Sequence, residues 1–190
     1  MLLLVGLGNP GSSYTNTRHN IGFKIIDAIN SHFKLSKQKP KFKGLLTTGN
    51  IDEKKIYAIK PLTFMNNSGT AIKELIDYFK IDAKDVFVFH DDLDIDFGKI
   101  KAKFGGSSAG HNGIESIDKF IGKDYSRVRI GIGHPKQKKK VSKHVLEDFK
   151  DDEEEKINEI TENIVKQLPT LIGKKIDLFS SKVNQDLNGL

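Results

Sequence analysis

Apolar and polar positions along the chain follow two different periods. Continuous or alternating apolar residues predict strands, at residues 2–5, 45–50, 55–59, 86–89, 99–104 and 127–132. Apolar residues spaced three and four apart predict helices, at residues 21–33, 72–79, 112–121 and 151–168. Ser68 is a plausible N-cap for the second helix, and Pro169 is expected to end the last one.

The order of these elements indicates the fold class. Strands and helices alternate along the whole chain, which favours a three-layer α/β/α sandwich around a twisted mixed sheet. A chain of 190 residues is long enough to bury one real core. We therefore expect one domain over residues 1–190, with a C-terminal helical segment at about residues 151–180 packed on it.

Composition and charge narrow the possible functions. The chain has no cysteine, which excludes disulfides, thiol nucleophiles and thiolate zinc sites and suits a reducing cytosol. The net charge of +6 suggests a polyanionic partner. The apolar run at residues 1–5 lacks a basic leader and is too short to span a bilayer, so we expect neither a signal peptide nor a membrane partner.

Four polar loops are candidates for chemistry, because each follows a predicted strand. They cover residues 8–20, 60–69, 90–98 and 105–113. In open α/β sheets, ligands bind beyond the carboxyl ends of the strands, so these loops are expected to converge. If the strand at residues 99–104 runs antiparallel, however, its loop begins at the opposite edge.

A dinucleotide-binding pattern occurs in the first loop but is incomplete. Gly6, Gly8 and Gly11 have the required spacing after a strand, with Asp27 at a tolerable distance. Pro10 removes a backbone N–H that a pyrophosphate would need, and the expected helix does not open there. This interpretation is disfavoured.

A nucleophile-elbow pattern centres on Ser108. Residues 106–110 read Gly-x-Ser-x-Gly between a strand and a helix, and Asp124 with His134 or His144 could complete a triad. Small residues in a glycine-rich turn give the same pattern without any catalytic role. A small-molecule serine esterase therefore stays an alternative.

A divalent metal site is a third alternative. His90, Asp91, Asp92 and Asp94 lie close together in one loop, and His111 could join them. Closely spaced carboxylates are often no more than a solvated turn. We expect no metal.

The remaining polar residues form a coherent hydrolytic set. His19 lies in a polar loop and can accept a proton near neutral pH, since histidine titrates near ~6.5. Asp91 is the best candidate to orient its ring. Asn9, Asn66 and Asn112 lie in three separate loops, where their amides could hold water, a peptide backbone or an oxyanion.

Taken together, these segments resemble the bacterial peptidyl-tRNA hydrolase family. The resemblance rests on ordered motifs, which are Val-Gly-Leu-Gly-Asn-Pro-Gly at 5–11, Tyr14 with Thr-Arg-His-Asn-Ile-Gly at 17–22, Lys-Pro-Leu-Thr-Phe-Met-Asn-Asn-Ser-Gly at 60–69, His-Asp-Asp-Leu-Asp at 90–94, Gly-Gly-Ser at 105–107 with Gly-His-Asn-Gly at 110–113, and Arg-Ile-Gly-Ile-Gly at 129–133. They span residues 1–135, and Val145, Leu146 and Phe149 continue the pattern.

The resemblance implies a role for each matching residue. His19 would activate water against the ester between peptide and tRNA, with Asp91 orienting it and Asn9 beside it. Substrate-binding residues would be Tyr14, Phe64, Met65, Asn66 and Asn112. Lys101, Lys103 and Arg129 would hold tRNA phosphates, which agrees with the basic face of the alternating strand 99–104.

The same resemblance implies a cytoplasmic monomer that needs no cofactor. Ala109 departs from the family pattern, where glycine is usual, and its methyl group could restrict φ or narrow the cleft. The basic stretch at residues 136–140 is expected to be a loop. A non-catalytic RNA-binding protein of the same fold is the other alternative, and the preferred tRNAs and peptides are left open.

Overall fold

The computed structural model describes residues 1–135 and 140–187. The strands within these ranges are β1 Leu2–Gly6, β2 Lys39–Lys41, β3 Gly44–Ile51, β4 Lys54–Pro61, β5 Val86–Asp92, β6 Ile100–Phe104 and β7 Ser126–Gly131. The helices are α1 Ile21–His32, α2 Ser68–Phe79, α3 Asn112–Ile121, α4 Val141–Val145, α5 Asp151–Ile172 and α6 Ile176–Asp186. Short 3₁₀ turns add to these elements.

All seven of these strands form one mixed sheet in the order β2-β3-β4-β1-β5-β7-β6. The central strands β4, β1, β5 and β7 are parallel to one another. At one edge β2 and β3 are antiparallel additions, and at the other edge β6 runs antiparallel to β7. The carboxyl ends of the parallel strands therefore meet at one edge of the sheet.

Apolar side chains cover both faces of the sheet. On one face, α1, α5 and α6 pack against alternate residues of the strands, such as Leu4 and Phe87. On the other face, α2 and α3 pack against the residues between them, such as Val5 and Val88. The expected three-layer α/β/α sandwich with a mixed sheet is therefore confirmed.

Two predicted helix ends are wrong. Helix α2 begins at Ser68 itself with Asn67 as its N-cap, and Ser68 Oγ instead donates to the Met65 carbonyl. Helix α5 passes through Pro169 and ends at Ile172. Leu171 and Ile172 continue its buried apolar face, and this packing outweighs the loss of one backbone donor at the proline.

The C-terminal segment contains two helices, α5 and α6, and α6 protects a sheet edge. In α6, the Asn184 side chain accepts from the Ile100 N–H at 3.0 Å and donates to the Ile100 carbonyl at 2.9 Å. Ser180 Oγ accepts from the Ala102 N–H at 2.8 Å. These side chains replace the missing neighbour strand of β6, which would otherwise present open backbone groups.

Strand β6 is antiparallel, so its loop begins at the edge away from the other loops. Gly105 donates to the Tyr125 carbonyl at the start of β7, and the chain then returns to place His111 next to β5. Four residues of the predicted 136–140 loop, 136–139, lie outside the described residues, and Lys140 is the N-cap of α4. No helix in the described ranges is long and apolar enough to cross a membrane.

Candidate active site

A cleft of about 570 Å³ opens where the carboxyl ends of β1, β5 and β7 meet. The polar part of its lining includes Asn9, His19, Asp91 and His111. The apolar part includes Met65, Val141 and Val145 of α4, and Leu146 just after that helix. The four polar loops therefore converge as expected, and the cleft has one polar wall and one apolar wall.

His19 lies on a single 3₁₀ turn, Arg18–Asn20, that leads directly into α1. The start of α1 is held tightly against the sheet at Gly22. A Cβ atom on Gly22 would lie 2.4 Å from both the Leu7 nitrogen and the Phe89 oxygen. Because only glycine allows this approach, it fixes the His19 turn against the ends of β1 and β5.

The His19 ring is oriented by Asp91, the residue that the sequence indicated. His19 Nδ1 lies 2.8 Å from Asp91 Oδ1, and both side chains are buried. Since a carboxylate can only accept, Nδ1 carries the proton. The other ring nitrogen, Nε2, is then the unprotonated atom that can accept a proton from water.

His111 is a second hydrogen-bond partner of the same Asp91 oxygen. From the sequence it was a candidate metal ligand only. Its Nδ1 accepts from the backbone N–H groups of Gly113 and Ile114 and so caps α3. Its Nε2 therefore carries the proton and donates to Asp91 Oδ1 at 3.1 Å. The signal in the sequence was a histidine immediately before a predicted helix, which is a cap position.

Burial and charge act in opposite directions on the pKa values of this pair. Burial would raise the pKa of Asp91, but the charges of His19 and His111 and their hydrogen bonds outweigh it and hold that pKa far below its usual range. Burial would lower the pKa of His19, but the charge and hydrogen bond of Asp91 leave it above the ordinary 6.5. Asp91 is therefore a permanent carboxylate, and the pKa of His19 is raised by its contact with that carboxylate.

His90 supports this arrangement from the core. Its Nδ1 donates to the Asp91 carbonyl at 2.7 Å, and its ring packs edge-on against His111. Burial, followed by the nearby charge of His111, holds the pKa of His90 well below 6.5. His90 is thus a neutral residue that positions the Asp91 backbone.

Asn9 is held with its amide in one orientation. Its Oδ1 accepts from the Met65 N–H at 2.8 Å, so Nδ2 is left as a donor on a residue that lines the cleft. The Asn20 side chain makes two hydrogen bonds to the backbone of Asn9. It accepts from the Asn9 N–H at 2.8 Å and donates to the Asn9 carbonyl at 2.9 Å. Asn20 is a positioning residue that sequence reasoning gave no role.

The carboxylates of the 90–94 loop do not converge on a common point. Asp91 faces His19 and His111, whereas Asp92 Oδ2 pairs with Arg129 Nε at 2.7 Å and Asp94 pairs with His134 at 2.8 Å. Among the described residues, the donor atoms of His19, Asp91 and His111 do lie within 4.8 Å of one another. A cation there would have to displace the two ring protons that bind Asp91.

The geometry does not support the serine alternative. Ser108 lies on the cleft, but its Oγ donates to Glu115 at 3.2 Å rather than to a histidine. His134 pairs with Asp94, and His144 Nε2 lies 3.3 Å from the Ile132 carbonyl. The two histidines proposed for a triad thus contact other groups and not Ser108.

The dinucleotide alternative also lacks its structure. After Gly11 the chain forms two short 3₁₀ turns, Ser12–Tyr14 and Arg18–Asn20, and α1 begins only at Ile21. Among the described elements, no helix opens at the glycine motif to face a pyrophosphate.

The predicted substrate-binding residues surround the cleft at different depths. Met65 is buried in its wall, whereas Asn66 and Asn112 are exposed members of the lining. Phe64 is 55% exposed at the rim. Tyr14 contacts Phe64 edge-on with ring centroids 6.4 Å apart, which places Tyr14 next to the cleft and not in its lining.

The predicted phosphate-binding residues share one face of the sheet. Lys101 lies opposite Arg129 in the β6–β7 pairing, and Lys103 lies opposite Arg127. Arg127, however, is fully buried, pairing with Asp118 at 2.7 Å and covering the Tyr125 ring. Burial and the nearby charges of Arg129 and Arg127 lower the pKa of Lys103. Lys101 is therefore the exposed cation of this face, whereas Lys103 and Arg129 are partly buried.

Fold and site together define an α/β protein with a histidine–aspartate pair suited to activating water in a cleft. The chain belongs to the peptidyl-tRNA hydrolase family, whose profile matches residues 3–189. It is 72% identical over 184 residues to the peptidyl-tRNA hydrolase of Pelagibacter ubique (strain HTCC1062), covering 97% of this chain and 99% of that protein.

More distant relatives agree in sequence and in structure. The peptidyl-tRNA hydrolase of Ehrlichia ruminantium (strain Welgevonden) is 46% identical, covering 95% of this chain and 93% of that protein. The crystal structure of peptidyl-tRNA hydrolase from Acinetobacter baumannii superimposes with a TM-score of 0.91 at 34% identity. That match covers 97% of this chain and 94% of the other, so family and fold agree over nearly the whole length.

Proposed function

We propose that this protein hydrolyses the ester between a peptide and the 3′ ribose of tRNA, with His19 as general base. The observation that carries the proposal is the 2.8 Å contact between His19 Nδ1 and Asp91 Oδ1 at the wall of the cleft. Family membership supplies the substrate class. The pair supplies an imidazole whose neutral form can act as a base, held in one orientation by a carboxylate.

The reaction follows from the protonation state of His19. Nε2 accepts a proton from water, whose oxygen attacks the ester carbonyl, and Asp91 stabilises the imidazolium that forms. The imidazolium then returns the proton to the leaving 3′ oxygen of the ribose. The products are free tRNA and a peptide with a new carboxylate.

Amide groups around the cleft would stabilise the charge that develops. Asn9 Nδ2 is the donor best fixed for this role, because its Oδ1 is committed to Met65. Asn66 and Asn112 would hold the peptide main chain or the water. Such preorganised donors contribute on the order of 10²–10³ each in rate, and an aminoacyl ester is already activated.

The basic face of β6 and β7 would hold the tRNA. Lys101 and Lys103 extend from β6, and Arg129 faces Lys101 across the strands. Asp92 holds the Arg129 guanidinium in place through Nε, which leaves its outer nitrogens for a phosphate. Phe64, Met65 and Tyr14 would shape the cleft around the acceptor end and peptide.

The wider proposal is a protein of one domain that works as a cytoplasmic monomer, with tRNA as its partner and without cofactor or metal. The family resemblance and the cysteine-free sequence support these points. The alternative from another class is a binding module of the same fold that has lost hydrolysis. The complete His19–Asp91–His111 arrangement favours the enzyme.

Release of free tRNA from an N-acetylated aminoacyl-tRNA tests the proposal. The natural protein and Ser108→Ala are expected to release tRNA at similar rates, while His19→Ala loses a factor on the order of 10²–10⁴. Binding of substrate without release by the natural protein would favour the binding module. Loss of activity in Ser108→Ala with near-full activity in His19→Ala would favour the serine esterase.

A further inference from the structure

Arg18, the neighbour of His19, is buried and bound to a distant part of the chain. Its Nη1 donates to the carbonyl of Asp148 at 2.8 Å and of Glu147 at 3.2 Å, and its Nη2 pairs with Glu153 at 2.6 Å. Its backbone N–H also donates to the Glu147 carbonyl, and its guanidinium lies 5.4 Å from the centroid of the Phe149 ring. Arg18 thus contacts every residue of the 147–149 segment, which is also joined to Asn16 and Thr17 through backbone contacts.

The 147–149 segment is continuous in the chain with the apolar wall of the cleft. It directly follows α4 and Leu146, which line the cleft together with Val141 and Val145 of that helix. None of the α4 residues is buried, so the helix has little core packing of its own. Val145 packs against the core. Polar contacts add to this support, which are the His144 contact with the Ile132 carbonyl and those of Arg18 with residues 147 and 148, just after the helix.

We propose that Arg18 is a positioning residue that sets the distance between His19 and the apolar wall of the cleft. It would thereby set how tightly the cleft binds the peptide. Arginine suits this role because its planar fork reaches two carbonyls and a carboxylate at once, which the single ammonium of lysine cannot do. The inference rests on the proposed function for its substrate. Its structural part, the anchoring of α4, is independent of that function.

Arg18→Lys tests the proposal because it keeps the positive charge but removes the guanidinium, which contacts two carbonyls and a carboxylate at once. For peptidyl-tRNA we expect KM to rise about 10-fold with kcat within roughly 2-fold, since ground-state and transition-state binding weaken together. The rise should be larger for a substrate with several apolar residues than for N-acetylglycyl-tRNA. Amide hydrogen exchange of residues 141–145 should also become faster, while β5 amides stay protected.

Glu153→Gln is the matched control, since a glutamine oxygen can still accept from Arg18 and from the Lys150 N–H while the charge is lost. We expect its KM to stay within about 2-fold of the natural value. An unchanged KM and unchanged α4 exchange in Arg18→Lys would overturn the proposal, as would a fall in kcat alone. Complete inactivity of the natural protein would instead reject the proposed function, and the exchange result would still decide the anchoring.

If Arg18→Lys does not fold, Phe149→Leu replaces it. This change removes the ring beneath the guanidinium but keeps an apolar side chain. The same faster exchange at residues 141–145 and a smaller rise in KM are expected. Exchange and KM equal to those of the natural protein would overturn the proposal.

Discussion

His19 Nδ1 and Asp91 Oδ1 lie 2.8 Å apart in a buried contact at the wall of the cleft. This contact determines which nitrogen of His19 carries the proton and therefore which one can act as a base. General-base catalysis by His19 requires this tautomer, and replacing Asp91 removes the group that sets it.

Asp91→Asn is expected to lower kcat by a factor on the order of 10²–10⁴ with little change in substrate affinity. An asparagine can present its NH₂ group to Nδ1, which favours the tautomer with the proton on Nε2, and it no longer stabilises the imidazolium. Single-turnover rates on N-acetylated aminoacyl-tRNA, together with a separate binding measurement, check this. A kcat within a few-fold of the natural enzyme would mean that Asp91 does not orient the base.

His111 has two separable roles, and two substitutions distinguish them. Asparagine is a good N-cap but is too short to reach Asp91, whereas alanine removes both contacts. We expect His111→Asn to lower kcat with little loss of stability. His111→Ala should lower kcat similarly and also lower the free energy of unfolding by about 1 kcal/mol. Urea denaturation and kcat measured on both variants provide the comparison, and equal stability of the two would argue against the capping role.

Ala109 occupies a left-handed conformation with φ of 49°, next to Gly110 with φ of 79°. Ala109→Gly should relieve strain and raise the free energy of unfolding by up to about 1 kcal/mol. Gly110→Ala should lower it by about 1–2 kcal/mol, even though a Cβ there meets nothing within 4 Å. Thermal or urea denaturation measures both. Changes of the same sign would show that φ does not govern this loop.

Lys101 and Lys103 should contribute separately to tRNA binding. Replacing either with alanine is expected to reduce the slope of log K against log salt by roughly 0.9 at most, because one phosphate contact is lost. Lys37 is exposed in the segment between α1 and β2, near the other edge of the sheet, so Lys37→Ala is the control and should leave the slope unchanged. Equal slopes for all three variants would place the tRNA elsewhere.

Periodicity predicted the layers and the converging loops, because burial of one helix face or of a central strand leaves a regular pattern. It could not predict β2 or α4, since β2 is three exposed residues and α4 has no buried ones. The end of α5 was misjudged because Pro169 is a local signal and the buried Leu171 and Ile172 are a tertiary one. Local propensity gives way to packing in such cases.

The sequence predicts candidate site residues where the side chain itself can act as a base, a carboxylate or an amide donor. His19, Asp91 and Asn9 are such residues, and the structure brings them to one cleft. The roles of His111 and Asn20 depend on which backbone groups lie within 3 Å of their side chains, and sequence spacing does not contain that information. The burial of Arg127 beside Asp118 is likewise a tertiary feature that the sequence does not indicate.

The pH dependence of hydrolysis tests the role of His19 most directly. Protonated His19 cannot act as a base, so kcat/KM should fall as pH decreases through the pKa of His19. Burial lowers that pKa, but the charge and the hydrogen bond of Asp91 together raise it by more, so it lies above 6.5. The decisive measurement is an NMR titration of the His19 ring beside the pH profile of kcat/KM for peptidyl-tRNA. We predict one shared pKa above 6.5, whereas a His19 titration that does not coincide with the kinetic one would contradict His19 as the general base.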